Sequence, residues 1–208
     1  MTPPFRVRRA LLFVPAVRTD RYHKAVATGA DSVCIDLEDG VALGAKAEAR
    51  DAVLTFFARR EPTHAEVVLR INDPKTDLGQ ADVAAVRHAG IRPDALMLPK
   101  TAGAAEIVDV GLALADALPD LPLIVMVETA QGLAAAEAIA TATPNVAAVF
   151  FGAIDFSADV GCAVEWDALL YARSRVMLAA ALAGASALDS PFMEVQAVET
   201  LAAACRRA

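Results

Sequence analysis

The chain has 208 residues, 56% of them hydrophobic and only 5% aromatic, so its core must be close-packed aliphatic side chains. A formal net charge of −7, with no basic block interleaved with aromatics, argues against a nucleic-acid partner. No apolar run approaches the ~20 residues of a membrane-spanning helix, and three cysteines without Cys-x-x-Cys spacing read as reduced thiols of a cytoplasmic protein.

At the N-terminus, Arg6, Arg8 and Arg9 precede an apolar stretch from Ala10 to Val17, which mimics a secretory leader. Pro15 interrupts that stretch and Arg18, Asp20 and Arg21 follow at once, so it reads as a first strand, Leu11 to Pro15. Further strands are expected to begin near Val33, Glu66, Ala95, Leu123, Val146 and Ser186. Most spacings are about 22 to 33 residues, enough for a strand and a crossover helix. The intervening stretches carry a helical apolar period over 21–28, 45–59, 81–89, 104–118, 133–142 and 166–183. The first, third and last of these end at Gly29, Gly90 and Gly184, the residue type that favours a helix C-terminus. In 45–59 the period places Ala49, Val53, Phe56 and Phe57 on one face. The strands are near-continuous Val/Ile/Leu runs, as expected where both faces are covered.

Alternating βα units allow an open doubly wound sheet or a (β/α)8 barrel. An open sheet usually carries a Gly-rich phosphate turn after its first strand. Here that turn is Pro15-Ala16-Val17-Arg18, with no glycine. The expectation is an α/β TIM-type barrel, one domain over 1–208, with seven strands and no eighth before the chain ends in a seventh helix. The barrel is therefore expected to be C-terminally incomplete.

Six of the seven runs end downstream in polar residues: Asp36 to Asp39, Arg70 and Asn72, Lys100, Glu128, Asp155, and Asp189. Parallel strands collect such residues on one rim, where barrel enzymes build their sites. Glu128 and Asp155, at the ends of adjacent strands, suit a divalent cation that prefers hard oxygen ligands. Gly152 leaves room beside Asp155 for a ligand to approach. Either acid could instead cap the following helix. Asp36 and Glu38 share a face by strand alternation, and Lys46 and Arg50 can neutralise acids of this cluster. Arg70 offers a planar fork for a substrate carboxylate, or an ion pair with Asp36 or Glu38, and the two uses are compatible. Lys100 is a weaker candidate for the same anion. A Schiff-base role would need an apolar setting, and the surrounding acids oppose it. Arg18, Arg21 and Lys24 follow the first strand and could hold phosphates of a cofactor-like handle, although a solvated helix face would look the same.

These residues resemble the citrate lyase beta-subunit-like family, which includes malyl-CoA lyases, within the HpcH/HpaI aldolase superfamily. The likeness runs in order through Arg9 to Pro15, Asp36-Leu37-Glu38-Asp39-Gly40-Val41 with Lys46 and Arg50, and Val68 to Asn72. It continues through Leu98-Pro99-Lys100, Glu128-Thr129-Ala130-Gln131-Gly132, Phe151-Gly152-Ala153-Ile154-Asp155 and Tyr171 to Arg175. The resemblance implies a TIM barrel that cleaves or forms a carbon–carbon bond in a 3-hydroxyacyl-CoA such as citryl-CoA or malyl-CoA. It implies Mg2+ on Glu128 and Asp155, Arg70 on the carboxylate of the keto acid or glyoxylate, and Asp36 supporting the metal's waters. It also implies acyl-CoA contacts near Arg18, Arg21 and Lys24, and a homo-oligomer, trimer or hexamer. The family's first loop often reads Pro-Gly-Asn-Arg, and its barrel continues into an eighth strand with an Ile-His-Pro motif. This chain departs from both. Thioester hydrolysis, aldol cleavage of a free acid and a non-catalytic ligand-binding barrel are the competing expectations.

Overall fold

The structure is a computed structural model and describes residues 6–194 and 196–208. Seven parallel strands form one sheet in simple sequence order: β1 (Leu11–Pro15), β2 (Ser32–Asp36), β3 (Glu66–Arg70), β4 (Ala95–Leu98), β5 (Leu123–Val127), β6 (Val146–Phe151) and β7 (Ser186–Leu188). A doubly wound sheet reverses its strand order partway across. This sheet never does, and it is a TIM-like barrel without a closing strand between β7 and β1 among the described residues.

Alternation along each strand sorts the apolar side chains into two layers. Val33, Ile35, Val67, Leu69, Leu96 and Val125 point outward into the main core, against the helices. Cys34, Val68, Met97, Ile124, Met126 and Phe150 point inward and fill the barrel, with Phe13 at its edge.

The helices are α1 (Tyr22–Val26), α2 (Lys46–Arg59), α3 (Asp77–His88), α4 (Ala104–Leu114), α5 (Ala130–Ala134), α6 (Ala136–Ala140), α7 (Ala153–Val160), α8 (Trp166–Ala183) and α9 (Val198–Arg207). In α2, Ala49, Val53 and Phe57 are buried and Phe56 packs at the core's edge, the face that the apolar period selects. Other boundaries differ from the sequence reading, each for a local reason. Residues 16–21 wind as a tight 3-10 turn, which shortens α1. The third helix begins at Asp77 because Thr76 caps it, its hydroxyl accepting the Gly79 N–H. Ala135 leaves helical geometry and splits 130–140 into α5 and α6. No helix among the described residues is long and apolar enough to cross a membrane.

The barrel's N-terminal mouth is closed by a buried polar group. Strand register sets Ser32 opposite Glu66, and the Ser32 hydroxyl donates to Glu66 Oε2 at 2.9 Å. Arg8, from the segment before β1, makes a two-pronged bond to the same carboxylate, 2.7 Å on each arm. At the other end of the chain, two guanidinium groups approach the Trp166 ring, Arg173 at 4.8 Å and Arg207 at 4.7 Å from its centroid. Arg207 also donates to Asp167 at 2.7 Å, which ties α9 to the start of α8.

Removing one partner of a buried ion pair strands the other's charge, and such changes cost about 3–5 kcal/mol. Glu66→Ala should lower the urea unfolding free energy by that order. Replacing Arg8 and Glu66 together by Met and Leu should lower it by clearly less.

Candidate active site

The opposite, C-terminal rim holds the chemistry. The β2–β3 register places Asp36 directly across from Arg70. Arg70 Nε and Nη2 donate to the two Asp36 oxygens, each at 2.7 Å. The same oxygens accept the backbone N–H groups of Glu38 and Gly40, both at 2.8 Å. A side chain at Gly40 would put a Cβ 2.6 Å from Asp36 Oδ2, so the turn has room only for glycine. Lys46 completes this loop by donating to the carbonyls of Leu37 and Glu38, at 2.7 and 2.6 Å. Arg50 does not join the acids at the rim. It pairs with Asp82 of α3 at 2.5 Å, which corrects the neutralising role suggested by the sequence.

Arg70 stacks on Phe13, its Cζ 4.9 Å from the ring centroid, and its side chain is only 9% exposed. Burial lowers the guanidinium's pKa, but Asp36 and Glu38 outweigh it and the net shift is upward. Nη1 lies 2.9 Å from Glu38 Oε2. Two of the five N–H groups of the fork donate to Asp36, and the other three make no hydrogen bond among the described residues.

Glu38 is buried between Arg70 and Lys100, with Oε1 at 3.0 Å from the Lys100 ammonium. Neither oxygen lies along a hydrogen-bond direction, so these are charge contacts only. Burial therefore dominates and pushes its pKa up, against the pull of Arg70 and Lys100. Burial also lowers the pKa of Lys100, yet Glu38, Asp39 and Asp155 raise it overall. Lys100 is a charged ammonium, unsuited to Schiff-base chemistry.

Glu128, one residue beyond β5, is 2% exposed. Its Oε1 accepts the Lys100 backbone N–H at 2.7 Å, and Oε2 has no donor among the described residues. The side chain folds over Gly152, where any Cβ would sit 2.5 Å from Glu128 Cβ. Burial first, then the negative charges of Glu38 and Asp155, push the carboxyl up to about 7. Asp155 does not end a strand. It sits in the first turn of α7, half-buried, with no hydrogen bond or ion pair among the described residues. The structure thus brings Asp36, Glu38, Arg70, Lys100, Glu128, Gly152 and Asp155 to one rim. Among the described residues no three acidic, histidine or cysteine side chains form a closed metal cage. Arg18, Arg21 and Lys24 are exposed after β1, and Arg18 is paired with Asp20 at 2.9 Å.

Sequence reasoning misses the bridging position of Glu38, the Phe13 platform and the Lys100 backbone. Phe13 is findable in principle, because alternation from Leu11 sends it inward.

The family model for HpcH/HpaI aldolase/citrate lyase matches residues 9–208. The chain is 32% identical over 201 residues to a (3S)-malyl-CoA thioesterase of Cereibacter sphaeroides, covering 96% of this chain and 68% of that protein. It is 33% identical over 203 residues to the mitochondrial citramalyl-CoA lyase of Rattus norvegicus, covering 90% and 60%. Among solved structures, protein CitE from Mycobacterium tuberculosis in complex with magnesium, acetoacetate and coenzyme A superposes with a TM-score of 0.81. That match is 34% identical and covers 97% of this chain and 73% of the other.

A folded-state pKa of about 7, against 4.5 for the free side chain, means the folded chain binds the extra proton between those values. Its contribution to stability, about 3 kcal/mol, is complete below pH 4.5 and is lost as pH rises through 7. In chelator-treated protein, Glu128→Gln should flatten this fall in stability between pH 5 and 8, as followed by urea denaturation at each pH.

Proposed function

The chain belongs to the HpcH/HpaI aldolase/citrate lyase family, and from that premise we propose a Mg2+-dependent carbon–carbon lyase acting on a 3-hydroxyacyl-CoA. The products of the citryl-CoA or malyl-CoA type of reaction are a keto acid or glyoxylate and an acyl-CoA. The observation that carries this reading is the state of Glu128. Its carboxylate is buried beside two further acids, with one oxygen undonated and its pKa held near 7. A bound divalent cation would relieve that arrangement.

The residues present fit magnesium. Glu128 and Asp155 would hold it, and one or two carboxylates with water and substrate oxygens are its usual company. A three-residue cage is not required. When bound, the ion supplies Lewis-acid polarisation of the keto oxygen.

This chain's own groups do the rest. The Arg70 N–H groups not donated to Asp36 receive the substrate carboxylate, and Phe13 and Asp36 keep the guanidinium from turning. Asp36 acts through Arg70 and the 38–40 loop, since both its oxygens are occupied by protein donors. Gly152 leaves the space in which Glu128 and the ligand meet. Lys100 places a fixed positive charge beside Glu38, where negative charge develops on the cleaved fragment. Arg18, Arg21 and Lys24 belong to the acyl-CoA side of this reading, supported by their position after β1 on the same rim. A homo-oligomer, trimer or hexamer, is part of it too. The exposed apolar face of α8, with Leu170, Tyr171, Met177, Leu178 and Leu182, supports that part. A cytoplasmic location also belongs to this reading, in keeping with the free thiols Cys34, Cys162 and Cys205.

Thioester hydrolysis at the same site is the second reading, favoured by the similarity to a malyl-CoA thioesterase. One assay separates them. With malyl-CoA and Mg2+, lyase action releases glyoxylate before any free thiol, whereas hydrolysis releases CoA thiol and no glyoxylate. Thiol without glyoxylate would overturn the lyase reading in favour of the second. Glu128→Ala should lower Mg2+-dependent turnover at least about a hundredfold. Arg70→Lys, which cannot bridge Asp36 and a carboxylate together, should lower kcat/KM by a similar factor. Thermal melts of both variants check that the fold is retained.

A further inference from the structure

Lys100 is the only non-glycine residue with positive φ among those described, at +53°. A long side chain disfavours this left-handed backbone, and such outliers persist only where the surroundings over-determine them. Both peptide planes of Lys100 are held. Its N–H donates to Glu128 Oε1 at 2.7 Å, and its carbonyl accepts the Lys75 ammonium at 2.8 Å.

Lys75 comes from the loop between β3 and α3, and its own placement is built. Its backbone N–H donates to Asp73 Oδ1 at 3.0 Å. Its ammonium lies 3.5 Å from Glu106 Oε1, and Glu106 Oε2 in turn accepts the Ala102 N–H at 3.0 Å. Lys75 and Glu106 therefore grip the 100–102 backbone from outside, while Glu128 receives its amide from inside. Lys75 is 43% exposed, so its ion pairs alone contribute little. The bond that matters is the one to the carbonyl.

We propose that Lys75 is a positioning residue: it clamps the Lys100 carbonyl and so keeps Lys100 in the left-handed turn that aims its N–H at Glu128. The proposal rests on the reading of Glu128 as a magnesium ligand, because that N–H fixes which way the carboxylate faces. Without the clamp, Lys100 relaxes to negative φ and Glu128 loses the N–H that orients it.

The test compares Lys75→Met, Lys75→Arg, Lys100→Gly and the Lys75→Met/Lys100→Gly pair with the unmodified chain. Four quantities are measured: Mn2+ affinity from the free-ion resonance signal, kcat and KM for malyl-CoA, and hydrogen exchange at the residue-100 amide without metal. Lys75→Met should weaken Mn2+ binding about tenfold and speed the exchange about tenfold, with kcat falling more than KM changes. Lys75→Arg, which restores a donor, should recover most of both. Glycine adopts positive φ unaided, so adding Lys75→Met to Lys100→Gly should weaken binding less than about twofold. Unchanged exchange and Mn2+ affinity in Lys75→Met, or equal losses in the two backgrounds, would overturn the clamp. If the unmodified chain takes up no Mn2+, the magnesium reading fails, and the exchange data still decide whether the clamp exists.

Discussion

One ion pair, Arg70 with Asp36, organises the rim. It is set by the pairing of β2 with β3, not by a loop, so its geometry is as rigid as the sheet. Asp36 spends both oxygens on Arg70 and on the 38–40 turn, and this delivers Glu38 into the space between Arg70 and Lys100. Lys100 then reaches Glu128 through its backbone. Disturbing the first contact removes both hydrogen bonds of a buried guanidinium and frees the turn that carries the next acid. The rim as a whole gathers more carboxylates than cations in a shielded place. Burial, reinforced by that imbalance, is why Glu128 resists ionisation.

The interior repeats the same device at its other end with a different result. Ser32 and Glu66 also face each other through β2–β3 register, but there Arg8 satisfies the acid on both oxygens. The three side chains satisfy one another within this closed group. Between the two polar ends lies a cluster of apolar side chains that includes Cys34, Val68 and Met97. Burial raises the Cys34 thiol's pKa well above its usual range, so it packs without reacting. Barrels commonly divide labour in this way, stability at the N-terminal face and chemistry at the C-terminal face.

Much of this is legible because parallel strands buried on both faces are written as continuous aliphatic runs. Their polar ends name the rim, and Asp36, Arg70, Lys100, Glu128 and Gly152 are found there. Asp155 shows where the reading fails. Its sequence context suggests a strand end, but the chain turns into α7 immediately after Gly152, so the acid arrives on a helix. Arg50 shows another limit. Its partner Asp82 is 32 residues away on α3, and no local spacing announces that contact. The Arg8–Glu66 pair, 58 residues apart, is hidden for the same reason. Lys100 is the deepest case, because local preference argues against its backbone and only tertiary bonds sustain it.

The pair of guanidinium groups against Trp166 has an optical consequence. The sequence contains a single tryptophan, and arginines from α8 and α9 both approach its ring. Its fluorescence therefore reports on one place, the seam where the last helix meets the helix that carries Arg173. Arg173 also pairs with Asp189, just past β7. Emission from one indole thus reads out whether the final strand and helix are seated, without any label.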